Sequence, residues 1–182
     1  MPIPGIVASG ISGHLTAPSS FYSIATVTPT SGSTVSFTSI PGTYKSLQIR
    51  FSYLGSAGGG NILSRFNSDT AANYSQHRLW GNGSSAQASG TANTASCYAG
   101  DVAYGGGTTQ PCTGILNILD YAAGTKYATT SFISGNDSNG GGSITLGSGS
   151  WRNTAAITSI TLTLSGDTFS SSGSTFALYG IN

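Results

Sequence analysis

The chain contains no glutamate, and its acidic residues are five aspartates among 182 positions. Lys and Arg together number six, so 6% of residues are charged and the formal net charge is +1. Soluble domains typically carry about 25% charged residues. Charge this sparse makes no basic field for nucleic acid and no acidic tail. No run reaches the roughly 18 apolar residues of a transmembrane helix. The expected partners therefore include neither nucleic acid nor membrane. No Lys or Arg precedes Lys45, and no apolar run of signal-peptide length follows Met1. A secretory leader is not expected, so a route out of the cell would be lysis or a particle. Cysteine and histidine number two each, and neither cysteine has a partner at metal-ligand spacing. No cofactor is expected.

Polarity must then come from Ser, Thr, Asn and Gly, as on many extracellular or particle-bound β proteins. The 27 glycines suit short strands joined by tight turns. Nine Tyr, seven Phe and two Trp supply enough apolar area to offset chain entropy, so the chain reads as folded.

The clearest element lies within 37–54. Pro41-Gly42 forms a turn, and from Lys45 onward Leu47, Ile49, Phe51 and Tyr53 alternate with Gln48, Arg50 and Ser52. A period of two marks a half-buried strand. Before it, residues 21–28 and 34–40 read as two strands paired in a hairpin. After it come strands at 61–67, 74–80, 95–104, 112–121, 126–134, 143–146, 157–164 and 174–182. The apolar run at 112–121 suggests a strand covered on both faces. Residues 81–94 read as a long polar loop, and 135–142 as a loop tip. About ten strands at this spacing predict an all-β fold, an antiparallel β-sandwich or jelly roll. The division is an extended N-terminal arm at 1–20 and a single sandwich domain at 21–182. Ile3, Ile6, Val7, Ile11 and Leu15 make the arm apolar. It either docks on a neighbouring subunit or particle, or lies over its own sandwich.

Catalytic signals are weak. His14 and His77 lack a nucleophile-elbow sequence to serve. Asp69, Asp101, Asp120, Asp137 and Asp167 are the candidates for a glycosidase pair, but most sit where Asp caps turns. Asp137, alone among neutral oxygen donors, is a poor calcium site. The expectation is a protein that is not an enzyme, with no catalytic residue and no metal ligand. Trp80, Tyr98, Tyr104 and Trp151 lie beside polar, Gly-rich segments, the pairing of ring and amide that sugar sites use. The alternative for both Trp is a core or interface anchor. Cys97 and Cys112 could form a disulfide if their strands lie side by side; two buried free thiols are the other reading.

Three stretches, SFTSIPGTYKSLQIR, RFNSDTAANYSQHRLWGNGSS and WRNTAAITSITLTLSGDTFSSSGSTFALYGIN, resemble a family of bacteriophage virion proteins of tailed phages, and so does the start MPIPGIVASGISGHL. The resemblance implies a non-enzymatic structural protein on the virion exterior, of the tail fibre or adhesin type. The family has no agreed enzymatic motif, so no catalytic residue carries over. The implied partners are further copies of the chain, with a trimer favoured, other virion proteins and a host surface glycan. A capsid decoration protein or a glycan-binding module is the alternative.

Overall fold

In the computed structural model, the residues described are 20–57, 60–101, 109–170 and 173–182. Among them are twelve strands and no helix. They are β1 (Phe21–Val27), β2 (Thr34–Phe37), β3 (Ser46–Tyr53), β4 (Ile62–Phe66), β5 (Tyr74–Gly81), β6 (Ala86–Thr94), β7 (Cys97–Gly100), β8 (Cys112–Leu119), β9 (Ala128–Asp137), β10 (Gly142–Trp151), β11 (Ile160–Leu164) and β12 (Thr175–Ile181). The large sheet runs β1-β12-β3-β8-β9-β10-β5-β6 and the small sheet β2-β11-β4-β7. Every pairing is antiparallel. The protein is an all-β sandwich, as its alternation predicts.

Strand β3 sits inside the large sheet, between β12 and β8. Leu47, Ile49, Phe51 and Tyr53 are all buried. Phe51, Tyr53, Phe169 and Phe176 form one aromatic group in the core. Phe66, Tyr74 and Trp151 form a second. From the small sheet, Ile160, Leu162 and Leu164 face this core, as their spacing predicts.

Four expectations need correction. The first two strands do not form a hairpin: β1 pairs with β12 in the large sheet, and β2 with β11 in the small one. The connection between them crosses the edge of the sandwich. It is tied down by Leu164 N–H donating to Ser33 O and Phe169 N–H donating to Gly32 O.

The segment predicted as a loop at 81–94 contains β6, the partner of β5. Its turn is built by Asn82 Oδ1, which accepts from Ser84 and Ser85 N–H at 3.0 Å each, and by Gly83 at φ 86°. Strand β6 is exposed from Ala86 to Asn93. With no apolar side chain larger than alanine, it carries no periodic signal. Its order comes from the backbone ladder to β5.

Strand β10 is ten residues long, not the short piece predicted at 143–146. Glycine hides its inward alternation. A Cβ on Gly147 would lie 2.5 Å from Phe132 Cζ, and one on Gly149 would lie 3.1 Å from Cys97 Sγ. Phe132 from the neighbouring strand β9 and Cys97 from the other sheet fill these positions, so β10 itself shows no side chain there.

Finally, β8 is not covered on both faces. Cys112, Leu116 and Ile118 point inward, while Leu119 is 46% exposed on the outer face. The unbroken apolar run reflects an apolar outer surface.

Candidate functional site

Strand β5 places the residues of most interest. Its inward face reads Tyr74, Gln76, Arg78, Trp80. Tyr74 and Gln76 lie under the small sheet and are buried. Gln76 Oε1 accepts from Tyr98 N–H at 2.6 Å, which fixes β7 against β5. Arg78 and Trp80 lie further along and are half-buried.

The Arg78 guanidinium is held between two rings. Its Cζ is 4.3 Å from the Trp80 centroid and 4.3 Å from the Tyr98 centroid. Nε donates to Ser89 Oγ at 3.3 Å and Nη1 to Asn61 Oδ1 at 3.2 Å. Both acceptors are neutral. Among the described residues no carboxylate pairs with Arg78; the ion pair found joins Lys126 and Asp120 on the surface. The register sets Trp80 opposite Gln87, Arg78 opposite Ser89 and Gln76 opposite Thr91. These β6 side chains are exposed and share the face of Arg78, since alternate residues on a strand project the same way.

The predicted sugar-binding aromatics thus divide. Trp80 and Tyr98 come together, through Arg78. Trp151 does not join them: it is 1% exposed, and its Nε1–H donates to Asp69 Oδ2 at 2.8 Å. A ring buried between Tyr74 and Phe66 offers no face to a sugar, so Trp151 is a core anchor. Tyr104 lies outside the described residues, as do His14 and the arm residues Ile3, Ile6, Val7, Ile11 and Leu15. Arg78 escaped sequence reading because its importance depends on Tyr98, which arrives from the other sheet.

Cys97 and Cys112 are free thiols, both buried. Cys97 belongs to the small sheet beside Ser64, and Cys112 to the large sheet beside the Asp101 carbonyl. Burial pushes the Cys97 thiol up and the Cys112 thiol to about 12. Both stay protonated at neutral pH and are poor nucleophiles.

The aspartates are engaged in structure. Asp69 holds Trp151, Asn73 and Ala71. Asp137 caps Asn139, Asp167 accepts from Ser56, Ala57 and Thr168, and Asp120 meets Lys126. Asp101 is buried and accepts from Ser143 Oγ. Among the described residues, no three His, Cys, Asp or Glu gather where they could hold a metal ion.

The outer face of the large sheet carries a second feature. Register aligns Arg50, Ile115, Ile133, Leu146, Leu79 and Ala88 in one row across β3, β8, β9, β10, β5 and β6. At about 4.8 Å per strand the row is roughly 24 Å long. Leu79, Ile133 and Leu146 are exposed by 52%, 48% and 56%, and Ile144 beside them by 60%. A shallow trough of about 720 Å³ lies at the β10–β5–β6 end of the row, lined by His77, Leu79, Ala88, Gly90 and Leu146 among others. At the far end Arg50 covers Phe21 and Tyr179 at 4.9 and 5.2 Å and donates to Gln48 Oε1 at 2.7 Å. Gln48 in turn donates to Asn117 Oδ1 at 2.8 Å. The polar side of β3 therefore forms a fixed ladder on the sheet surface.

In comparisons with known proteins, no family model, no curated protein and no solved structure matches the chain.

Proposed function

We propose that the protein is a non-enzymatic structural component of a tailed-phage virion, carried on the particle exterior and assembled as a homo-oligomer. The favoured form is a trimeric tail fibre or adhesin component attached through residues 1–20. The observation that carries the oligomer is the exposed apolar row on the outer sheet face. Large apolar side chains gathered on one surface mark an interaction site rather than a solvated wall. The occupant is a second copy of this chain. The net charge of +1 leaves little repulsion between copies. The virion assignment draws on the sequence resemblance and on the hydroxyl-rich, low-charge composition. Capsid decoration is the alternative position.

Mass measurement by light scattering tests this. Leu79→Lys combined with Leu146→Lys places two charges in the centre of the row, on side chains that contribute nothing to the core. The double variant is expected to be a folded monomer at concentrations where the wild type is oligomeric. A variant with unchanged mass would remove this face from the interface, and a monomeric wild type would remove the oligomer.

A further inference from the structure

We propose that Arg78, Trp80 and the exposed face of β6 form a binding site for an acidic sugar, a pyranose bearing a carboxylate. Three observations combine. The first is a half-buried guanidinium with no counter-charge among the described residues. Exposed cations such as Arg50 and Arg152 are solvated, but partial burial makes an uncompensated charge costly. An incoming anion relieves that cost.

The second is pre-orientation. Trp80 and Tyr98 fix the guanidinium plane from both sides. Ser89 and Asn61 take one donor each from Nε and Nη1. Of the five N–H groups of an arginine, this leaves both on Nη2 and the second on Nη1. That end of the fork matches the two oxygens of a carboxylate. Little side-chain freedom remains to be lost on binding.

The third is what surrounds the charge. Gln87, Ser89 and Thr91 project from β6 on the same side, at the roughly 7 Å spacing of alternate strand residues. An amide and two hydroxyls in a row suit the hydroxyls of a sugar ring. Trp80 adds a partly open apolar edge beside Gln87. A bare inorganic anion would use Arg78 alone, and a neutral sugar would leave it unpaired. An acidic sugar uses the whole set. The inference concerns the isolated chain and does not depend on whether the protein is a virion component.

The full chain is titrated with D-glucuronate and N-acetylneuraminate, and with glucose and acetate as controls, following tryptophan fluorescence and NMR shifts. At least one acidic sugar should bind at least about tenfold more tightly than either control. Arg78→Gln should abolish that preference. Because Arg78 also supports two rings, Gln87→Ala is the second variant: its side chain is exposed, and its loss should weaken acidic-sugar binding severalfold with an unchanged melting temperature. Acetate binding as tightly as the sugars would mean an adventitious anion site only and overturn the proposal. So would glucose binding as tightly as both acids, binding by none of the four, or acidic-sugar binding that survives both substitutions.

Discussion

Replacing Asp69 tests how the turn at 67–73 is fastened to the core. Asp69 Oδ2 accepts from Trp151 Nε1–H at 2.8 Å and Asn73 Nδ2 at 2.9 Å, and Oδ1 accepts from Ala71 N–H at 2.9 Å. Trp151 is 1% exposed, so in Asp69→Ala its indole N–H would be buried without an acceptor. An orphaned buried donor costs about 1–3 kcal/mol. With the turn bonds also lost, a total of about 2–3 kcal/mol is expected. At roughly 2–4 °C per kcal/mol for a domain of this size, the melting temperature should fall by about 4–12 °C. Asp69→Asn keeps an acceptor oxygen and loses the charge, so it should cost about 1 kcal/mol. The pH dependence separates the two effects. The Asn73 and Trp151 hydrogen bonds hold the Asp69 carboxyl below its ordinary 3.8, against an opposing effect of burial. A depressed folded-state value means that the charge stabilises the fold above the unfolded value, near 3.9. That contribution is lost as pH falls below this through the folded value. Urea denaturation at pH 7 and pH 3 should therefore show the wild type losing much of its advantage over Asp69→Asn at the lower pH. An Asp69→Ala variant within about 0.5 kcal/mol of wild type at pH 7 would refute the reasoning. An advantage over Asp69→Asn that is equal at both pH values would refute the role of the charge.

Two further outcomes follow from the core. Gly147→Ala should destabilise by about 1–3 kcal/mol in thermal melts, because its Cβ would meet Phe132 Cζ at 2.5 Å and the His77 carbonyl oxygen at 3.0 Å; an unchanged melting temperature would show that the Phe132 ring is free to move. Cys97 and Cys112 should resist a thiol reagent at pH 8 in the native state and both react in denaturant, whereas finding no titratable thiol in the denatured protein would demonstrate a disulfide.

Alternation made most of the fold legible. In β3 and β11, each inward residue is large and apolar and each outward one polar, so class and facing could be read from period alone. Two strands gave no such signal, for opposite reasons. Strand β6 has no buried side chain before its last residue, and β10 buries glycines beneath side chains from other strands. The sheet partners of β1 and β2 were hidden because a six-residue connection can close a hairpin or cross between sheets. Trp80 and Tyr98 were recognisable as ring donors, but Arg78 became visible only when the two sheets set those rings on either side of it. Trp151 looks like Trp80 in sequence, and the difference lies in Asp69, 82 positions earlier in the chain, which draws its indole inward.

Where the protein sits on a particle is decided by antibody labelling of intact, purified phage under the electron microscope. The expected result is regularly placed label on the outside of every particle, at the tail. Label on the head surface would shift the protein to capsid decoration. Particles that carry no label and lack the protein, while the lysate contains it in soluble form, would contradict the assignment to the virion.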